Sequence, residues 1–339
     1  MKKYIFTNVI MTIALLAAFI SCSNDSTGLY TPRSSGLPYE LLVVANDEIW
    51  ESDGGQALES VLKSDIPGLP QSEESFHVMR VIPMHYDKVM KMMRNIVVVN
   101  VGDNYRQTKL KYAENMFSVP QLILTIQAPD TESLKDFVLS KQDFIIKFFN
   151  DAELKRQADE LRKNHSDTIS KYTTAMFSYD ICAPYELRNF KIADNFIWSS
   201  SENPIGPLNF MSYSYPYTSE KCFTREGFIA KRDSVTKINM PGAFENSYMT
   251  LDTLAISTTD RNENGNYLFE ARGLWKMKGD MMGGPFISQS RVDTLTNRVV
   301  VTEVFVYAPE KMKRRYIKKL ESSLQTFKFV KATDKTEEK

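Results

Sequence analysis

Gln121-Leu122-Ile123-Leu124-Thr125-Ile126, followed by Pro129-Asp130 and then by Leu134, Val138, Ile145, Phe149 and Ala152, decides the fold class of this chain. The apolar run is short and ends at a proline, which suits a buried strand. Asp130 is a good N-cap, and Glu132 sits favourably in the first turn of the helix that follows. The later apolar residues lie on one side of that helix, and a second helical run continues past Asn150-Asp151 to about Lys163. A buried strand that hands over to an amphipathic helix must bury the helix stripe against its own sheet, which is a layered α+β arrangement.

The same pattern extends toward the N-terminus. Tyr39 to Ala45 is a second apolar strand, and Ala57, Leu58, Val61 and Leu62 form the stripe of a helix over Gly55 to Ser64 that Pro67-Gly68 and Pro70 end. Phe76 to Ile82 alternates as a strand, Asp87 is placed to cap a short helix through Arg94, and Asn95 to Val101 is a further β-branched strand.

From Ser166 onward strands dominate: Ala175 to Cys182, Asn195 to Ser199, Leu208 to Tyr215, Ser247 to Ser257 and Leu268 to Lys278. Ile287 to Asp293 and Arg298 to Tyr307 form a hairpin around Thr294-Leu295-Thr296-Asn297. Arg225 to Lys237 reads as a helix. A closing helix is expected from Pro309, with Met312, Tyr316, Leu320, Leu324 and Phe327 inward. The expected fold is α+β: two layered halves, residues 39–165 and 166–330, each a largely antiparallel or mixed sheet packed against amphipathic helices. Residues 331–339 form a polar tail.

The first residues carry an address. Lys2 and Lys3 precede an apolar stretch from Val9 to Ile20, and Ser21-Cys22 closes it, the pattern of a lipoprotein signal. The stretch is shorter than the roughly 20 apolar residues of a membrane-spanning helix. Residues 1–21 are therefore expected to be removed, leaving Cys22 acylated and bound to the lipid bilayer, with residues 22–38 as a tether that spans roughly 20 Å as a coil. Cys182 and Cys222 are the remaining cysteines, either bridged or separately buried.

The 42 basic and 42 acidic residues balance, so bulk charge gives no reason to expect nucleic acid. Hydrophobic content of 42%, with 16 Tyr and 20 Phe, excludes a disordered chain.

Catalytic patterns are sparse. The three histidines, His77, His85 and His165, lie in no metal-ligand spacing, so no metal is expected. Ser60-Val61-Leu62-Lys63 and Ser234-Val235-Thr236-Lys237 have the Ser-x-x-Lys spacing of penicillin-recognising enzymes but lack the companion motifs, and read as helix-surface residues. Asp47, Glu48 and Glu51 flank Trp50, an acid-and-indole grouping found in carbohydrate sites, without a partner carboxylate. Gly279-Asp280-Met281-Met282-Gly283-Gly284 matches no phosphate loop; it reads as a connection whose methionines suit an adaptable binding lip. Lys311, Lys313, Arg314, Arg315, Lys318 and Lys319 form the basic face of the closing helix. That face is a candidate binding surface, or else the solvated side of a docked helix.

Gly36-Leu37-Pro38-Tyr39-Glu40-Leu41 with Trp50, Pro67-Gly68-Leu69-Pro70-Gln71, Arg94-Asn95-Ile96, Pro120-Gln121 and Val306-Tyr307-Ala308-Pro309-Glu310-Lys311 with Lys313-Arg314 resemble, in this order, the Bacteroidota lipoproteins grouped as domain of unknown function 4837. The resemblance spans nearly all of the chain after Cys22 and implies no activity, cofactor or catalytic residue. It implies an outer-membrane lipoprotein, facing the periplasm because only Asp25 is acidic just after Cys22. The expected function is a lipid-anchored, non-catalytic binding or structural module whose partner is an envelope protein or glycan. The alternative is an envelope-polymer hydrolase with a dispersed site.

Overall fold

The computed structural model describes residues 31–201, 208–263 and 265–330. The signal segment, Cys22, the start of the tether and the tail after Val330 lie outside the described residues.

The first half is built on β1 (Glu40–Val44), β2 (His77–Val81), β3 (Asn95–Val101), β4 (Lys109–Glu114) and β5 (Leu122–Ala128). Their order is β2-β1-β3-β5-β4; all neighbours run parallel except β4, which is antiparallel to β5. Helices α1 (Asp47–Glu51), α2 (Asp53–Leu62), α3 (Thr131–Ser140) and α4 (Gln142–Lys163) complete it. Leu58, Leu62, Leu134, Val138, Ile145 and Phe149 from these helices bury against Leu41, Val43, Val97, Val99, Leu124 and Ile126. Asp130 caps α3 by accepting from Ser133 N at 2.7 Å, as its position demands. The opposite face of the sheet is covered by chain around Tyr86 and Met93.

The second half is a seven-stranded antiparallel sheet in the order β10-β11-β12-β13-β9-β8-β7. Its strands are β7 (Leu187–Ala193), β8 (Phe196–Ser201), β9 (Leu208–Pro216), β10 (Tyr248–Glu263), β11 (Asn266–Lys278), β12 (Gly283–Asp293) and β13 (Arg298–Val306). Helices α5 (Asp167–Phe177) and α7 (Arg314–Leu324) cover one face, and α6 (Arg225–Asn239) lies on the other. A two-stranded ribbon of β6 (Tyr179–Asp180) and β14 (Lys328–Phe329) ties the start of this half to its end. Alternation along β13 explains the two cores: Val300, Val304 and Val306 face α5 and α7, whereas Val299, Val301 and Phe305 face the α6 side. The whole is the α+β fold expected, with a mixed sheet in the first half, an antiparallel sheet in the second and helices packed on both.

Several local expectations are corrected. Residues 175–177 end a helix, because Ile169, Thr173 and Phe177 repeat at helical spacing, Ser166 caps it, and Ser178 leaves it in a left-handed conformation. Strands β4 and β7 sit at sheet edges with polar and apolar side chains interspersed and mostly exposed or half-buried, so no apolar run announces them. Asp87 does accept from Val89 N and Met90 N, at 2.9 and 3.0 Å, but the turn it caps is a short 3-10 segment rather than a helix through Arg94. The tether ends early as well: Val119 N donates to Pro32 O, and Ser34 N to Val119 O, so residues 32–34 lie on the first half.

The closing helix begins at Arg314, not Pro309, and the reason is tertiary. Glu73 of the first half, 3% exposed, accepts from Lys313 N at 2.6 Å and Arg314 N at 2.8 Å. A carboxylate at a helix N-terminus satisfies orphan donors and meets the positive end of the dipole. Here the capping group comes from the other half. Glu73→Ala is expected to cost about 1–3 kcal/mol, read as a lower urea midpoint with faster proteolysis around residues 309–313. A change below about 0.5 kcal/mol would remove the clamp from the account.

Candidate functional site

The seven-stranded sheet is wider than one helix can cover, and among the described residues α6 is the one α-helix on its second face. The sheet curls around that helix, since Lys191 on the edge strand β7 reaches across to donate to Asn239 O at the end of α6, at 2.6 Å, while β10 at the opposite edge also packs on α6. Where α6 stops, the concave face stays open, and a cavity of about 350 Å³ remains.

Its floor comes from separate strands: Trp198 of β8, Asn209 of β9, Trp275 and Met277 of β11, and Phe305 of β13. Met240, Met249, Met282 and Tyr307 close the sides. The wall at residues 240–243 is held as a tight return, with Met249 N donating to Met240 O and Gly242 N to Ser247 O. A side chain at Gly242 has no room, because its Cβ would stand 2.2 Å from Ser247 Oγ and 2.7 Å from Met277 Cε. Gly284 plays a similar part behind the floor: its Cβ would stand 2.0 Å from Val306 O, the carbonyl that accepts from Trp275 Nε1 at 3.2 Å. Trp198 Nε1 donates to Asn209 Oδ1 at 3.1 Å. Both indoles are therefore oriented by hydrogen bonds, and the methionines supply soft, adaptable walls.

Among the described residues, no Asp, Glu, His, Lys, Arg or Cys lines this cavity. Tyr307 is the one titratable side chain among the described lining residues. Such a volume, mostly apolar with a few placed polar groups, has the character of a small-molecule site, usually roughly 300–1,000 Å³.

A second, polar cleft separates the two halves. Two connected hollows of about 520 and 610 Å³ share Lys147 and Asn150 of α4, Arg272 of β11 and Glu321 of α7. The strand alternation that buries Phe269 and Ala271 toward α6 turns Glu270 and Arg272 toward this cleft. Arg272 bridges two carboxylates, Glu270 Oε1 and Glu321 Oε1, both at 2.6 Å. Lys318 Nζ joins Glu321 Oε2 at 3.0 Å to Asn150 Oδ1 at 2.7 Å. Burial alone pushes the Glu321 carboxyl up, but Lys318 and Arg272 more than overcome it and hold it at about 2. Glu270 is also held low: burial opposes this, and Arg272 with Gln289 prevails. Both carboxylates are pinned as anions by partners within the second half and do not serve as proton donors near neutral pH, while Lys318 carries the bond across to Asn150 of the first half.

The residues singled out in the sequence fall in different places. Of the six bases, Lys313 and Lys318 are buried, Arg314 donates to Glu74 O, Lys319 pairs with Glu186, and Arg315 lies over the Tyr316 ring. Lys311 is exposed, and its carbonyl accepts from Lys313 Nζ. They do not share one free basic face, because the helix docks against the first half through that side. Cys182 and Cys222 are separate free thiols rather than a bridge, and burial pushes both thiols up. Trp50 packs on the first core and Asp47 pairs with Arg80, so the acid-and-indole grouping is structural. Ser60 and Ser234 are exposed on their helices, and Lys63 pairs with Glu59. Among the described residues no His, Cys, Asp and Glu grouping is placed to hold a metal.

Met282 does line the cavity, and the methionine-bearing loop was its one sequence signal. Trp198, Trp275 and Asn209 were missed because they lie on different strands that only the folded sheet brings together.

Residues 166–326 match the family model described as domain of unknown function (DUF4837), and residues 34–162 match a second one, domain of unknown function (DUF8532). The resemblance read from the sequence thus holds for the second half, and the first half matches a different family model. No curated protein matches the chain. Among solved structures, a mutant of the protein Mog1 is similar over 46% of this chain and 93% of its own, at 9% identity and a TM-score of 0.30. The human StarD13 (DLC2) lipid transfer and protein localization domain is similar over 49% of this chain and 98% of its own, at 10% identity and a TM-score of 0.20. Likenesses this distant do not bear on function.

Proposed function

We propose that this chain is a lipid-anchored, non-catalytic binding module of the cell envelope, with the cavity at the end of α6 as its ligand site. The observation that carries this is the cavity wall, which among the described residues combines Trp198, Trp275 and four methionines with no titratable side chain other than Tyr307. A wall of that kind desolvates an apolar or aromatic group and orients it through Asn209 and Ser200. The second half of the proposal, the anchor, is supported by Lys2, Lys3, the apolar stretch and Ser21-Cys22. An outer-membrane position facing the periplasm is part of the same reading.

Two of the chain's three tryptophans line the cavity, so intrinsic fluorescence reports its occupancy. In a Trp50→Phe background, an uncharged apolar probe such as N-phenylnaphthylamine is expected to bind saturably and quench the remaining emission. Met277→Glu is expected to weaken that binding by about tenfold or more, since an ionised group in an apolar pocket opposes entry of the probe. Undiminished binding by Met277→Glu would place the probe elsewhere and dismiss the site. For the anchor, Cys22→Ala is expected to abolish acyl labelling and release the protein from the membrane fraction; retention there unchanged would refute it.

A further inference from the structure

The described chain begins on the first half, among loops that carry a surplus of exposed apolar side chains. Met84 is 84% exposed, Val89 66%, Met116 58% and Val119 42%, and the Phe117 ring is partly exposed beside them. Isolated exposed apolar residues are ordinary, but a contiguous group marks a contact surface. Contiguity here follows from the bonding. Lys91 Nζ lies 5.4 Å from the Tyr86 ring centroid and 5.5 Å from that of Phe117, which brings the 84–91 loop beside the 116–119 loop.

This surface is rigid. Gln121 Nε2 donates to Lys91 O and Met93 O, Gln121 Oε1 accepts from Phe117 N, and Ser118 Oγ donates to Met92 O. Asp87 is occupied in capping Val89 and Met90. The charge around the apolar residues is mixed, with Lys88 and Lys91 against Asp87 and Glu114.

Chain length selects the occupant. Residues 32–34 are hydrogen-bonded to Val119 within this surface. The chain from Cys22 to Thr31 reaches at most about 30 Å in any conformation. A bilayer holding the acyl groups of Cys22 therefore lies within about 30 Å of the point where the chain joins these loops. We propose that the loops around Met84, Val89, Met116 and Phe117 rest on the lipid surface to which the chain is tethered. They form a second contact that sets the orientation of the body, with apolar side chains at the headgroup boundary and Lys88 and Lys91 extended toward lipid phosphates. This contact rests on acylation of Cys22, which is tested separately.

The test uses the full acylated protein carrying Trp50→Phe and Phe117→Trp, inserted into vesicles of phosphatidylcholine with a minor share of phosphatidylglycerol. Bromine-labelled acyl chains in the same lipids quench indoles that reach them. The indole at position 117 is expected to shift to shorter wavelength and lose most of its emission, whereas Trp198 and Trp275, measured without the position-117 substitution, keep theirs. Met116→Trp provides a second reporter should the first variant fold poorly. Flotation with the vesicles reads the anchor independently. Protein that floats while neither reporter is quenched overturns the lipid contact and leaves the anchor standing. Protein that is not acylated and does not float overturns both. A reporter that is unquenched yet blue-shifted in a concentration-dependent way assigns the surface to a second copy, which also overturns it.

Discussion

Arg232→Met is expected to lower the unfolding free energy by about 3–5 kcal/mol, the range for breaking a buried ion pair from one side. Arg232 projects from α6 with no exposed surface and meets Glu303 of β13, equally buried, through Nε at 3.0 Å and Nη2 at 2.6 Å. Its guanidinium also lies 5.4 Å from the Phe286 ring centroid, and Phe286 stacks with Phe228 of the same helix. Burial pushes the Glu303 carboxyl up, and Arg232 pulls it back. Without the arginine, the carboxylate has no counter-charge in a wall of aromatic side chains. The double change Arg232→Met with Glu303→Leu is expected to recover most of the loss, because two apolar side chains suit that environment. Urea unfolding of the three variants checks this, and a single variant within about 0.5 kcal/mol of the parent would show that the pair does not hold α6 in place. Since α6 ends at the cavity, unseating it is also expected to abolish apolar-probe binding.

Acid is expected to act at the opposite face, on the ion pairs that line the cleft beside the first half. Glu321 is held at about 2, below its ordinary 4.5, so the folded state binds its proton less readily than the unfolded chain does. Its contribution is therefore fully present above about pH 4.5 and is lost as pH falls toward 2. At 1.36 kcal/mol per pKa unit, it amounts to about 3 kcal/mol. Glu270, also held low by Arg272 despite burial, acts in the same direction. Glu321→Gln is expected to be less stable than the parent at neutral pH and to lose less between pH 4.5 and 2. Stability measured by urea unfolding across that window decides it; parallel curves for parent and variant would mean that Glu321 is not the group being titrated.

Much of the fold was legible along the chain. Strands β1, β3, β5 and β13 carry continuous apolar runs because both of their faces are buried, and α2, α3 and α6 carry stripes at helical spacing. Edge strands β4 and β7 were silent, since a strand whose side chains are mostly exposed or half-buried mixes polar and apolar residues without a continuous run. The cavity was legible only at Met282. Its tryptophans resembled any other aromatic residues of a strand until five strands brought them to one concave end.

By itself, the sequence determined the layered α+β class and the place of most elements, because periodicity is local and each apolar stripe must be buried somewhere. Tertiary structure alone decided which charges are spent and which surfaces remain. Glu73 caps a helix 240 residues away, Lys313 and Lys318 leave the solvent to stitch the halves, and α6 stops short of the sheet it covers. These outcomes depend on partners distant in the chain, and no local pattern encodes which carboxylate a lysine will meet or where a helix will run out of sheet to cover.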